Sequence, residues 1–351
     1  MSGECIVNFS LKIAEQIEVA ALALEQGALV AFPTETVYGL GADAENIEAV
    51  ANIYRAKGRP SNHPVIVHVA PEADLSYWVS EVPAPAQALI DAFWPGPLTL
   101  ILKRAAHIPD AVSGGQDTVG VRCPSHPVAQ ALLRAFKQGK GGVAAPSANK
   151  FGHVSPTKAE HVLEEFPEEV ANRMIAAVLD GGQSEVGIES TIVDMSRLAS
   201  HGPVLLRPGH ITVKQLEQVL GVTVNAPDQA APRASGTLEA HYAPSTPVAL
   251  VAVDQLDATI TSLRAKGKRV AVMAYEAHRE TEKLQAWRQL NNDPVAYAHD
   301  LYADLRELDH VDADIILVEA LPTTREWQGV ADRLRRAAFD SQGVLQAMLG
   351  G

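Results

Sequence analysis

Cysteine is nearly absent from this 351-residue chain, with Cys5 and Cys123 its only two. Zinc sites and disulfide frameworks are written as closely spaced cysteine pairs, so neither is indicated and no metal-ligand set is expected. Both thiols are expected to be unreactive. Cys123 follows Arg122, which could lower a thiol pKa, but it reads better as a small, partly buried hydrophobe. Basic residues are also scarce: 29 Lys and Arg stand against 42 Asp and Glu, a formal charge of −13. A broad nonspecific nucleic-acid surface needs many cations on one face, and neither half of the chain is basic. A local basic groove in an acidic body is still compatible with that balance, and a nucleotide pocket requires one.

Long apolar runs are missing too. None approaches the roughly 20 residues that cross a bilayer. The segment Met1-Ser2-Gly3-Glu4-Cys5 lacks the basic stretch and apolar core of a signal peptide, so the expected compartment is the cytoplasm. There is no Walker lysine loop, no nucleophile elbow and, in the C-terminal third, no G-x-G-x-x-G after the first strand-like run. Covalent nucleophilic catalysis and a dinucleotide cofactor therefore have no support.

What is present is a hydrophobic content of 47%, enough for a substantial core, in a chain long enough for two domains. An amphipathic helix is expected from about Lys12 to Gln26, with Ile13, Ile17, Ala20, Ala21 and Leu24 on one face and Gly27 as its stop. Strand-like runs follow at Leu29 to Phe32, Val65 to Val69, Leu98 to Leu102, Thr118 to Arg122, Val143 to Ala145, Thr191 to Asp194 and Val204 to Leu206. Thr157-x-x-Glu160 and Thr212-x-x-Gln215 fit capping boxes, with Gly221 ending the second helix. Alternation puts His68 on one face with Ile66, and Thr118, Gly120 and Arg122 on one face opposite Val119 and Val121. Leu205 and Arg207 repeat the pattern. A sheet with one polar face is expected, concave and open to ligand there, with helices on its apolar side.

From about Gly221 to Pro247 the pattern dissolves into Pro, Ala, Gly and Ser, which reads as a linker. It carries His241-Tyr242, an aromatic pair that a passive tether does not need, and is a candidate lid. Beyond it, strand-like runs at Val248 to Val253, Arg269 to Tyr275 and Ile315 to Ala320 alternate with helices, as in a small parallel Rossmann-like sheet. The expected division is 1–221, a linker over 222–247, and 248–351.

The chemistry concentrates after the first strand. Phe32-Pro33-Thr34-Glu35-Thr36-Val37-Tyr38-Gly39-Leu40-Gly41 delivers hydroxyls and a phenol, and Lys57-Gly58-Arg59 adds two cations one residue apart on the loop after a short helix. Arg grips phosphate oxygens bidentately and Lys supplies a point charge. Ser147 and Asn149, at a strand end after Val143-Ala144-Ala145-Pro146, could bind phosphate or ribose, or could simply form a turn. Together with Glu189-Ser190-Thr191 and Leu206-Arg207-Pro208-Gly209, these motifs resemble the YrdC-like family of threonylcarbamoyl-AMP synthases, in its long form with an added C-terminal domain.

That resemblance implies a twisted mixed α/β sheet around a large cavity, with the linker lying over the active site. It implies condensation of L-threonine, bicarbonate or CO2, and ATP to threonylcarbamoyl-AMP and pyrophosphate, with magnesium carried by the nucleotide. Lys57 and Arg59 are then the expected catalytic cations. Thr34, Thr36, Tyr38, His68, Arg122, Ser190 and Thr191 are candidates for threonine, although Arg122 could instead face phosphate. Lys57, Arg59, Asn62, Thr118, Ser147, Asn149, Ser155, Arg207, His241 and Tyr242 are candidates for ATP. The product would go to a separate transferase complex that modifies tRNA. Two alternatives stand beside this reading: an RNA-binding module of the same fold, against which the acidic charge counts, and a carbamoyl-adenylate enzyme of hydrogenase maturation, whose zinc-finger cysteines are missing here.

Overall fold

In β1 (Leu29–Phe32), Leu29 and Ala31 enter one apolar cluster while Val30 and Phe32 enter another, because successive strand side chains point to opposite faces. The other strands of its sheet are β2 (Gly39–Asp43), β3 (Ile66–Val69), β4 (Leu98–Lys103), β5 (Thr118–Arg122), β6 (Gly142–Ala144), β7 (Ile175–Val178), β8 (Thr191–Asp194) and β9 (Val204–Arg207). They form one mixed sheet in the order β7-β1-β2-β6-β3-β5-β4-β8-β9. This computed structural model describes residues 3–276 and 284–350, with side chains of the first helix described from Ile13 onward, so the Cys5 thiol lies outside the described residues.

One face of the sheet is largely apolar, with Leu40, Val67, Leu100, Val119, Val121 and Val193 among its buried side chains. The helix Ile47–Lys57 packs there through Ala49, Val50, Ile53 and Tyr54, at helical spacing. Asn46 caps its N-terminus by accepting from the Glu48 and Ala49 amides. Gly58, at φ 62°, closes it in the left-handed conformation that favours glycine. Lys57 is therefore the last residue of the helix rather than part of the loop, and Arg59 lies one residue beyond the turn.

The opposite face is divided. At the β1 and β6 end it is covered by the helices Gly3–Glu25 and Pro127–Ala135, through Ile17, Ala20, Ala21 and Leu24, and Ala129, Leu132 and Leu133. At the other end Ile66, Ile101, Ile192, Val204 and Leu206 form a small apolar floor, and Ala231 and Ala234 pack on it. The expected open polar face thus has an apolar centre and is partly covered by residues read as linker. The third alternation departs as well. A bulge lets Ile192 pair with Arg207 while Val193 pairs with Leu205, so Leu205 packs into the main core whereas Leu206 joins the floor.

The chain divides into two units, Met1–Lys150, Pro156–Glu185 and Glu189–Thr237 in one, and Phe151–Ser155, Val186–Ile188 and Leu238–Gly351 in the other. In the second, β10 (Val248–Val251), β11 (Val270–Ala274), β12 (Ala286–Gln289) and β13 (Ile315–Glu319) pair in parallel in the order β10-β13-β11-β12. Helices Val253–Ala265 and Ser341–Leu349 contribute to the apolar cluster of this sheet. This is the expected small parallel α/β sheet, with β12 an addition that the sequence pattern did not reveal.

The Thr212–Gln215 capping box is formed in full, and Gly221 ends its helix. The Thr157–Glu160 box is not. That helix starts at Ala159 without a side-chain cap, and the Thr157 amide donates to His161 Nδ1 instead. Among the described residues no helix is long and apolar enough to cross a membrane.

Candidate functional site

Lys57 ties the signature segments together. Its Nζ lies 2.6 Å from the Ser147 carbonyl and also donates to the Asn149 carbonyl. The Gly39–Leu40 segment is joined to the same loop, since Leu40 N–H donates to Pro146 O at 2.8 Å and Ala148 N–H to Tyr38 O at 2.8 Å. Burial, and then the neighbouring Arg59 charge, hold the Lys57 pKa well below its ordinary value.

Arg59 and Arg207 meet at one residue. Arg59 Nη2 donates to Pro64 O at 2.9 Å and to Ser235 Oγ at 3.3 Å, and Arg207 Nη1 donates to Ser235 O at 2.7 Å. The other edge of the Arg207 guanidinium serves Ser190, with Nε on its carbonyl at 3.0 Å and Nη2 on its hydroxyl at 3.1 Å. Ser190 Oγ is also 2.8 Å from Thr99 Oγ1. Thr118 lines the space beneath the 233–235 segment with Ile66, Ile101 and Ile192. Gly209 admits the close approach of this strand end, because a Cβ there would lie 2.6 Å from the Thr191 nitrogen.

A second cluster centres on Arg122. Its Nη2 lies 2.6 Å from Glu35 Oε1, its Nε donates to Gly96 O at 3.3 Å, and Glu35 Oε2 accepts the Ser125 amide at 3.0 Å. His68 pairs in register with Arg122 across β3 and β5. Burial, reinforced by the Arg122 charge, lowers the His68 pKa to about 3, so the imidazole is neutral. Thr34 Oγ1 donates to Val37 O at 2.6 Å and lies 2.8 Å from Thr36 Oγ1, so the Thr36 hydroxyl must be the donor of that pair. Tyr38 turns to the 180–182 loop: its OH donates to Gly182 O at 2.8 Å and accepts the Gly181 amide at 3.1 Å. Burial pushes this phenol up to about 12. Cys123 is buried, and desolvation pushes its thiol up to about 12 as well.

The structure thus brings Arg59, Thr118, Ser190 and Arg207 together, joins Lys57 to Ser147 and Asn149, and places His68 beside Arg122. Not every expected residue joins these groups within the first unit. The Ser190–Thr191 pair splits, because Thr191 points to the main-core face and its hydroxyl donates to Ile211 O at 2.9 Å. Asn62 is exposed. Ser155, His241 and Tyr242 fall in the second unit, where the Arg333 guanidinium lies 5.5 Å over the Tyr242 ring. Three residues escaped sequence reasoning: Glu35, Thr99 and Ser235. Thr99 was findable, since alternation in β4 sets it with Ile101 on the face opposite Leu98, Leu100 and Leu102. Ser235, in a Pro/Ala/Gly stretch, gave no signal.

A mixed α/β sheet whose partly covered face collects arginines and hydroxyls has the chemistry to receive a small anionic ligand. Residues 22–209 match the Sua5/YciO/YrdC family model, described as "Telomere recombination", and residues 211–339 match the C-terminal domain model of threonylcarbamoyl-AMP synthase. A threonylcarbamoyl-AMP synthase of Pyrococcus abyssi (strain GE5 / Orsay) is 37% identical over 347 residues, covering 95% of this chain and 97% of its own. That of Bacillus subtilis (strain 168) is 40% identical over 337 residues, covering 92% and 93%. The crystal structure of P. abyssi Sua5 complexed with L-threonine superposes with a TM-score of 0.84 at 35% identity, covering 93% of this chain and 95% of that one. The chain belongs to the threonylcarbamoyl-AMP synthase family, in its two-domain form.

Proposed function

We propose that this enzyme condenses L-threonine, bicarbonate or CO2, and ATP to L-threonylcarbamoyl-AMP and pyrophosphate. The observation that carries the reading is the convergence of Arg59 and Arg207 on Ser235, together with Lys57, two residues before Arg59, which binds the Ser147–Asn149 loop. The threonine amine captures CO2 as a carbamate, a carbamate oxygen attacks the α-phosphorus, and the α–β phosphoanhydride breaks to release pyrophosphate. No enzyme nucleophile is needed. Lys57, Arg59 and Arg207 neutralise charge and fix the line of attack. Arg122, oriented by Glu35 and with no hydrogen bond at Nη1 among the described residues, suits the threonine carboxylate. Ser190 and Thr99 supply hydroxyls nearby.

Magnesium fits this reading as an ion bound to the nucleotide. Among the described residues no group of three acidic, His or Cys side chains could cage it, and Mg2+ is commonly held by substrate phosphates and water. When bound it would supply further neutralisation of the triphosphate. The labile product then passes to a transferase that modifies tRNA.

The test is pyrophosphate release from ATP and magnesium, with and without L-threonine and bicarbonate, alongside mass detection of the adenylate. Release that requires both co-substrates and is lost in a folded Lys57→Ala variant supports the reading. Release indifferent to threonine would end it.

A further inference from the structure

The segment that covers the apolar floor is pinned at one residue. Gln116 Oε1 accepts the Arg233 amide at 2.7 Å, and Gln116 Nε2 donates to the Arg233 carbonyl at 3.1 Å. One side chain thus meets both main-chain groups of Arg233, as a neighbouring strand would. The carboxamide cannot be reversed without loss, because Nε2 also donates to Ser113 O at 3.3 Å and a flip would set Oε1 against two carbonyls. A third tie comes from Arg233 itself, whose Nη2 donates to Gly114 O at 2.9 Å.

What lies on either side of this pin gives it a role. Ala231 and Ala234 sit on the floor of Ile66, Ile101, Ile192, Val204 and Leu206, so the strap's underside is apolar but small. The cavity left beneath it is ≈ 10 Å³, about the room for one water. Two residues past the pin, Ser235 offers its hydroxyl to Arg59 and its carbonyl to Arg207. Those oxygens meet the cations that the proposed function gives to phosphate.

We propose that Gln116 is a positioning residue for the reaction. Its two-point hold on Arg233 sets the resting place of the 231–235 strap, so that the two oxygens of Ser235 keep Arg59 and Arg207 oriented until an anionic ligand displaces them. The strap then swings from a fixed point beside the site and returns over the adenylate. Its small alanine contacts make it easy to lift, and the pin keeps it from drifting away. This rests on the proposed reading of Arg59 and Arg207.

The experiment pairs local amide hydrogen exchange with product analysis in the full-length chain. Gln116→Leu is expected to speed exchange in the 231–236 peptide about tenfold, as loss of two hydrogen bonds requires, with exchange elsewhere unchanged. Gln116→Glu, which keeps the acceptor for the Arg233 amide and loses the donor, should fall between. In the leucine variant the yield of threonylcarbamoyl-AMP per pyrophosphate should drop severalfold. Exchange equal to wild type overturns the pin. Faster local exchange with an unchanged product ratio overturns the positioning role, as does loosening throughout the unit. If the wild-type enzyme releases no threonine-dependent pyrophosphate, the proposed function itself is at fault, and the exchange arm still judges the pin alone.

Discussion

Arg122 and Glu35 face each other across 2.6 Å with side chains only 4% and 3% exposed. Neither charge has water to fall back on, so each depends on the other. The pair also places a guanidinium on the ligand face of β5, two residues from Gly120, whose missing side chain leaves room beside Ile66 and Ile101.

Replacing Glu35 by Gln should therefore lower stability by about 3–5 kcal/mol, the usual result of leaving one buried charge unpaired. Urea unfolding measures it. The double replacement of Glu35 by Leu and Arg122 by Met should be less damaging than either change alone, and an additive loss would show that the two do not compensate each other.

Arg207→Lys keeps the charge but offers one nitrogen where three are in use, on Ser190 and Ser235. The KM for ATP should rise about tenfold or more, equivalent to about 1.4 kcal/mol or more, within the range of one charged hydrogen bond. An unaltered KM would remove Arg207 from the nucleotide contacts.

His68 makes stability acid-sensitive in a defined window. Its folded pKa of about 3 lies below the ordinary 6.5, so above pH 6.5 both states are neutral and the group contributes nothing. As pH falls from 6.5 towards 3 the unfolded chain takes a proton that the folded one refuses, and stability declines by up to about 1.4 kcal/mol per pH unit from this group. His68→Leu should flatten that part of the curve. Parallel curves for the two proteins would assign the acid sensitivity elsewhere.

Tyr38→Phe removes the hydroxyl that serves Gly181 and Gly182. A stability loss of about 1–3 kcal/mol is expected, since a donor and an acceptor lose their partner. Threonine KM should stay within about twofold of wild type. A much larger change would return the phenol to the substrate pocket.

Much of the first sheet was legible because it alternates. Thr118 to Arg122 and Thr191 to Asp194 read correctly to the residue, since each is rich in β-branched residues. β2 did not. Its glycines close the segment that delivers the hydroxyls and the phenol, and glycine is a poor strand former; yet a Cβ on Gly41 would lie 2.8 Å from both Phe32 and Val143, so this glycine serves strand packing. β7, Ile-Ala-Ala-Val, has too little β-branched content to announce itself. At the site, cations and hydroxyls could be picked out by type and motif. Their partners could not, because Glu35 meets Arg122 and Ser235 meets Arg59 only through tertiary packing.

The route of the backbone has a practical corollary. It changes unit at 150/151, 155/156, 185/186, 188/189 and 237/238. Within the second unit, Ala243 N–H donates to Gly152 O at 3.0 Å, and Arg306 donates to Val154 O. A single nick between Thr237 and Leu238 would therefore cut the polypeptide without dividing its folded bodies: the amino-terminal fragment would carry off strands of chain that the carboxy-terminal fragment is built around. Expressed by itself, residues 238–351 would be an incomplete object.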